Sequence, residues 1–339
     1  MRERARWRAI GGCLTTAGAA AGLVTGVPAP AEAVGCQGHR VMNIVAHEDD
    51  DLLFMNPDIY NDISYGHCVQ TVYLTAGDAG SSATYWKRRE RGVRDAYATM
   101  RRVRKAWLRK TISYSGHKMT RFRLADDTGI SLVFLRLPDG TPGGTGTGTY
   151  GGGSLQKLWD RRISSLTTVD GTSSYSRSDL ISALAQTIND YDPDTIRAQD
   201  YTRDYSLADY STGNTDGDHS DHHAAAYFAY QAERRYYNHH RITPYLGYPS
   251  SDHAVNVGGL ALARKREAFF AYAAWDKNIQ CRSGSCRANS PVHPWLARRW
   301  HYKARVFAPQ PHSPSLRLPA APPPSPRPGP GAGPSSEGG

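Results

Sequence analysis

The feature that most constrains this chain is an abrupt change of polarity near residue 46. Residues 41–45, Val-Met-Asn-Ile-Val, have the composition of a buried strand. After Ala46 the chain runs straight into His47, Glu48, Asp49, Asp50 and Asp51. An imidazole and four consecutive carboxylates are costly to desolvate unless each finds a partner or a cation. An acidic loop facing water meets that demand. So does a site at the carboxyl end of a parallel strand, where open α/β sheets bind their ligands. A second cluster, Asp216-Gly217-Asp218-His219-Ser220-Asp221-His222-His223, closes a polar loop and leads into an apolar helix at 224–230. Imidazole and carboxylate together suit zinc, although His-rich tracts also bind metals adventitiously.

The segments between these clusters alternate in type. Strand-like runs fall at 41–45, 69–74, 111–114, 121–124, 130–135 and 195–199, and helical patterns at 85–100, 178–190, 222–237 and 265–275. That alternation predicts an α/β sandwich around a largely parallel sheet. The Gly/Thr-rich stretch 140–153 lacks a Gly-Lys-Ser/Thr ending, so it reads as a mobile rim and not a phosphate loop.

Both ends of the chain read differently from the body. Arg2, Arg4, Arg6 and Arg8 precede a weakly apolar stretch at 9–27, and Ala31-Glu32-Ala33 fits a small-x-small cleavage site. Residues 1–33 therefore read as a Sec-type secretory signal peptide, with a retained anchor as the alternative. The tail, 308–339, holds 11 of the 21 prolines and reads as a flexible extension, which leaves 34–307 as the folded domain. The 39% hydrophobic content, with 20 Tyr and 7 Trp, is too high for a disordered chain. Beyond the N-terminal stretch no run of 18 apolar residues exists, which excludes a multi-span membrane protein and leaves no integral span once the signal is removed. The formal charge is +10, and +8 without the four Arg and two Glu of residues 1–33. Such a surplus favours anionic cell-wall polymers. Nucleic acid is not expected, because no basic block or known nucleic-acid motif occurs.

Export would place Cys36, Cys68, Cys281 and Cys286 in an oxidising compartment. Three pairings are possible. Cys36 and Cys68 each precede a predicted strand, and Cys281 and Cys286 bracket a short Arg-Ser-Gly-Ser turn, so the favoured bridges are Cys36–Cys68 and Cys281–Cys286. A four-cysteine zinc site is disfavoured because the first pair lacks close spacing.

At this point the motifs resemble a known family. Ala46-His47-Glu48-Asp49-Asp50-Asp51 is similar to the Ala-His-Pro-Asp-Asp-Glu signature of the PIG-L/LmbE-like zinc N-deacetylases, and His219-Ser220-Asp221-His222 to their later His-Pro-Asp-His signature. Leu74-Thr75-Ala76-Gly77-Asp78-Ala79-Gly80 resembles their strand-then-Gly turn, and Arg89-Glu90 falls where they carry Arg-x-x-Glu. The resemblance implies a Rossmann-like fold. It also implies one Zn2+ per chain (Fe2+ or another divalent ion being an alternative) on His47, Asp50 and His222. By position it makes Asp49 the general base, His219 the stabiliser of the tetrahedral centre, and Asp221 the orienting partner of His219. Glu48 stands for the family's Pro, Asp51 for its Glu, and Lys87 for the Arg three residues before Glu90. Substrate-contacting residues are not assigned.

The implied activity is removal of an acetyl group from an N-acetylated amino sugar or related conjugate by a secreted hydrolase. A catalytically silent carbohydrate- or cell-wall-binding module on the same fold is the alternative. A metallophosphoesterase would need more bridging ligands than these clusters obviously supply.

Overall fold

The computed structural model describes residues 38–279, 281–282, 285–286, 290 and 292–308. The proposed signal segment 1–33 and the Pro-rich tail beyond residue 308 lie outside them.

Strand β1 (Arg40–Val45) is buried along all but its first residue, because it lies in the middle of the sheet with both faces covered. Around it lie β2 (Cys68–Thr75), β3 (Trp107–Tyr114), β4 (His117–Leu124), β5 (Asp127–Leu137), β6 (Thr195–Gln199), β7 (His240–Tyr245) and β8 (Arg305–Phe307). The order across the sheet is β8-β7-β6-β1-β2-β5-β4-β3. Strands β7, β6, β1, β2 and β5 run parallel, while β4, β3 and β8 are joined to the two edges by antiparallel pairing. The sheet is thus the mostly parallel α/β sheet expected, extended by antiparallel edges.

The helices are α1 (Asp58–Ser64), α2 (Ala83–Arg101), α3 (Leu155–Trp159), α4 (Arg177–Tyr191), α5 (Leu207–Thr212), α6 (Ser220–Glu233), α7 (Gly259–Ala273) and α8 (His293–Leu296). One core joins α3, α4 and α6 to sheet residues such as Met42, Ile44, Val72 and Val133. The opposite core joins α1, α2 and α7 to Val45, Tyr73, Leu132 and Phe134. Alternation along each strand supplies both faces. Local signals set the helix limits. Ser176 and Asp179 form a reciprocal capping box at the start of α4, an arrangement typically worth about 1 kcal/mol, and Asp192 ends the helix in a left-handed conformation before Pro193.

The predicted strands and helices all occur, most of them longer than read. Strand β7 was not anticipated, because Pro244 interrupts an otherwise strand-like run. The stretch 140–153 is tied down and is not a free rim. Lys157 Nζ donates to the Thr145 and Gly152 carbonyls, Ser154 Oγ to Gly144 O, and Thr149 Oγ1 to Gly80 O. Cys281 and Cys286 form a disulfide across a short antiparallel hairpin, as expected. Cys68 is also disulfide-bonded, but its expected partner Cys36 lies outside the described residues. No helix among the described residues is long and apolar enough to cross a membrane.

Lys265 joins α7 to two other segments. It is fully buried, and its Nζ donates to the carbonyls of Leu53, Trp295 and Arg298. Replacement by Met keeps the aliphatic volume and leaves those carbonyls unpaired. Lys265→Met is expected to lower unfolding stability by about 3 kcal/mol, read as a fall in the urea midpoint; an unchanged midpoint would show that the three bonds contribute nothing net.

Candidate functional site

The end of β1 is fastened before the chain enters the acidic motif. Ala46 N donates to the Gln199 side chain of β6, and Ala46 O accepts from both Thr75 N and Thr75 Oγ1 at the end of β2. Residues 47–51 therefore emerge at the carboxyl edge of three parallel strands. The backbone continues as a π-helical turn, Asp51–Met55, a distortion often found at functional sites. The second motif arrives from across the edge. His219 caps α6, its Nδ1 accepting from the Asp221 amide, and His222 follows within the first turn.

His47, Asp50 and His222 meet. One donor atom from each lies within 4.8 Å of the others, and all three residues are buried. His222 Nε2 stands 3.0 Å from Asp50 Oδ1 yet has no hydrogen-bond partner of acceptable geometry. Its other nitrogen, Nδ1, bonds Asp218 Oδ1 at 2.7 Å. A carboxylate on one ring nitrogen and a free, buried second nitrogen is how proteins prepare a histidine to ligate a metal. The donor set of two imidazoles and a carboxylate fits a divalent ion. Burial pushes the Asp50 carboxyl up, but His222 and His47 outweigh it and hold it well below the usual carboxylate range. Phe54 and Tyr248 pack edge-on against the His222 ring and shield it from water.

Asp49 adjoins this group in the chain and commits one of its oxygens to an arginine. Its Oδ1 accepts from Arg89 Nη2 at 2.6 Å. Burial raises the Asp49 carboxyl above its ordinary value, with Arg89 opposing and Asp50 adding to the rise. Arg89 is itself buried. It donates to Tyr272 Oη and to the Gly77 carbonyl, and lies 3.3 Å from Asp276 and 3.5 Å from Glu48. Gly77 has a positive φ, and a Cβ there would collide with the Arg89 guanidinium. Glu48 has no hydrogen-bond partner on either oxygen, and burial drives its carboxyl well up, toward the neutral form. Asp51 turns away from the metal group to accept from Tyr97 and Tyr73, at 2.6 and 2.9 Å. Burial raises it to about 7.

His219 and Asp221 occupy the far wall, with a partner exchange. The Asp221 carboxylate accepts from Gly140 N at 2.7 Å and contacts His47 Nε2 at 3.2 Å, but lies 3.9 Å from His219 Nδ1. It is the Asp221 backbone amide that orients His219. Burial and the adjacent His47 and His222 push His219 well below its ordinary value, which favours its neutral form. With Nδ1 accepting, the proton sits on Nε2, which faces Asp139 Oδ1 at 3.9 Å.

Asp139, Asp218 and Gly247 escaped sequence reasoning. Asp139 follows the end of β5 and joins His47, His219 and Asp221 in a second group of possible ligands. Its position just past a parallel strand was the available signal. The backbone amide of Asp139 donates to Asp78 Oδ1, so Asp78 is a buried turn former that holds Asp139. His223 points away from His222, to Tyr210 Oη. Of the aromatic residues near the motifs, Tyr85, Trp86 and Tyr201 are buried, while Tyr205 and Tyr210 are partly exposed.

The chain matches the family described as PIG-L, GlcNAc-PI de-N-acetylase, over residues 42–233. No curated protein matches the sequence. Among solved structures, the N,N'-diacetylchitobiose deacetylase of Pyrococcus horikoshii is 14% identical, with 79% of this chain and 83% of that one covered and a TM-score of 0.42. A deacetylase of teicoplanin biosynthesis is 13% identical over 71% and 85%, with a TM-score of 0.39. The 4-carboxy-2-hydroxymuconate hydratase GalB of Pseudomonas putida is 11% identical over 72% and 85%, with a TM-score of 0.40.

Gly247 gives the metal group a direct test. A Cβ at this position would fall 2.3 Å from Asp218 Oδ2 and 2.7 Å from His222 Nδ1. Gly247→Ala must displace the carboxylate that orients His222. Divalent-metal affinity is expected to fall by roughly 10- to 100-fold, measured by chelator competition, with the far-ultraviolet circular dichroism unchanged. Wild-type affinity in the variant would mean that the Asp218–His222 pair does not orient a ligand.

Proposed function

Since the chain belongs to the GlcNAc-PI de-N-acetylase (PIG-L) family, we propose that it is a metal-dependent N-deacetylase. In this reading it uses Zn2+ to remove acetyl groups from an N-acetylated amino sugar or its conjugate. The observation that carries the reading is the convergence of His47, Asp50 and His222 around a buried, unpartnered His222 Nε2, with Asp49 anchored beside them. Two imidazoles and one carboxylate also suit Fe2+, so elemental analysis decides the ion. The same reading makes the protein an exported enzyme; the signal-like composition of residues 1–33 and the Cys281–Cys286 disulfide are consistent with it.

The ion's contribution when bound is Lewis acidity toward the amide oxygen and a lower pKa for water at the site. The protein's own residues manage the protons. Arg89 fixes one Asp49 oxygen and leaves the other free to take a proton from the attacking water. Oxygen adds to the acetyl carbon, and negative charge develops on the former carbonyl oxygen. In this reading His219 Nε2–H, which the Asp221 amide orients through Nδ1, is the hydrogen-bond donor to that oxygen. The C–N bond then breaks, Asp49 returns its proton to the departing nitrogen, and acetate and free amine leave. The Asp221 carboxylate, bonded to Gly140 N and beside His47 Nε2, fixes the orientation of a ligand imidazole.

Three substitutions separate these roles. Asp49→Asn keeps the shape and removes basicity, so acetate release is expected to fall about 100-fold or more while the metal is retained. Asp50→Asn replaces an anionic ligand and is expected to lose metal first. His219→Ala is expected to keep the metal and lower kcat by roughly 100-fold. If Asp49→Asn loses the metal while Asp50→Asn keeps metal and rate, the two roles are exchanged. If the metal-loaded wild type releases no acetate from a panel of N-acetylated sugars, the silent binding module is the better reading.

A further inference from the structure

Two adjoining cavities, of about 310 and 580 Å3, lie where α2 meets the antiparallel strands β3 and β4, and both are lined by Arg109, Arg136 and Asp170. The acidic groups here are already engaged. Arg136 bonds both oxygens of Glu90, at 2.5 and 3.0 Å, and reaches Asp170 at 2.8 Å. Lys87, Arg94, Arg109 and Lys118 also line the cavities. None of these four has a carboxylate within salt-bridge distance among the described residues. Lys87 lies over the Trp86 ring, Arg94 lies over Phe122 and donates to the Glu90 carbonyl, and Arg109 and Lys118 are exposed.

Strand register fixes the spacing of the last two. Arg109 pairs with Phe122, and Phe122 lies four residues from Lys118 on the same strand, so Arg109 and Lys118 share one face of the sheet. Four residues along a strand span roughly 13 Å. A single small anion cannot bridge that distance, whereas a chain carrying several negative groups can. The cavities also share elements with the candidate site. Arg89 of α2 holds Asp49, its neighbour Glu90 holds Arg136, and Arg136 precedes Asp139 by three residues on the same segment.

We propose that this groove binds the anionic part of a glycan whose acetylated sugar occupies the metal site. The identity of the sugar rests on the deacetylase reading above, while the groove's preference for a polyanion does not. Carboxylate and phosphate groups both match free guanidinium and ammonium groups, so uronate and phosphorylated glycans are the two sources to compare.

Binding of polygalacturonate and of a phosphorylated mannan, each measured by calorimetry at low and physiological salt, tests the proposal. Wild-type protein is expected to bind at least one of them, with affinity falling as salt rises. The exposed pair in the groove, Arg109→Gln with Lys118→Gln, is expected to weaken binding by about 10-fold or more. An equal loss of charge elsewhere, Arg234→Gln with Arg266→Gln, is expected to change it by less than about 2-fold. Equal weakening in both double variants would reduce the effect to net charge and overturn the proposal, as would absence of wild-type binding to either polymer. Deacetylation of a neutral N-acetylated disaccharide is expected to be the same in the groove variant and the wild type. A loss there would place these residues in the catalytic fold and also overturn it. If the binding pattern holds while no acetylated sugar is hydrolysed, the deacetylase reading fails and the groove stands.

Discussion

Burying His47, Asp50 and His222 within a few ångströms of one another, with half-buried Asp49 next in the chain, is the cost that the surrounding structure is arranged to meet. Such groups are tolerated only when each is paired or shares a cation. The pairing is nearly complete. Asp50 accepts from the His47 amide, His222 leans on Asp218, Asp49 is held by Arg89, and His47 faces Asp221. One exception is His222 Nε2, aimed at Asp50. Asp221 Oδ1 and both Glu48 oxygens are likewise buried without a hydrogen-bond partner, and that shortage of partners among buried acidic groups argues for a cation.

The frame around the site draws on residues well beyond the family segment. Tyr272 and the nearby Asp276 hold Arg89, and the Tyr248 amide bonds Asp218. Gly247 makes room for the carboxylate that Tyr248 helps to fix. Residues 247–276 follow the matched region 42–233, yet they complete the surroundings of both the candidate base and a candidate ligand. Lys265, fixing α7 to the π-helical turn through Leu53 O, links that frame to the acidic motif itself. Stability and site geometry are therefore coupled through the same helix.

Glu48 shows how a departure from the familiar motif is absorbed. It is fully buried with no hydrogen-bond partner, and burial favours its neutral form. Its nearer oxygen lies 3.5 Å from Arg89, while the Asp49 and Asp276 carboxylates stand closer, at 2.6 and 3.3 Å. Asp51, one methylene shorter than the family's Glu, turns one oxygen to the Tyr73 and Tyr97 hydroxyls instead of reaching the metal group.

What the sequence determined by itself was local in origin. Short strand-like runs marked β1, β2, β5 and β6, and the two polar clusters stood out because each abuts an apolar element. His47 and Asp50 are three residues apart and so are His219 and His222, so chain continuity already placed each pair in one turn. The tertiary structure decided which groups face each other across the sheet edge. It gave Asp221 to His47 through its carboxylate and to His219 only through its amide. It brought Asp139 from the end of β5, and it set Arg89 against Asp49. Apart from the local Asp221 amide on His219, those partners lie 40 to 174 positions apart along the chain, and no local pattern encodes them. Their pairing follows from strand order and helix packing, because carboxylates and imidazoles brought together out of water must take whichever charge-balancing neighbour the packed elements supply.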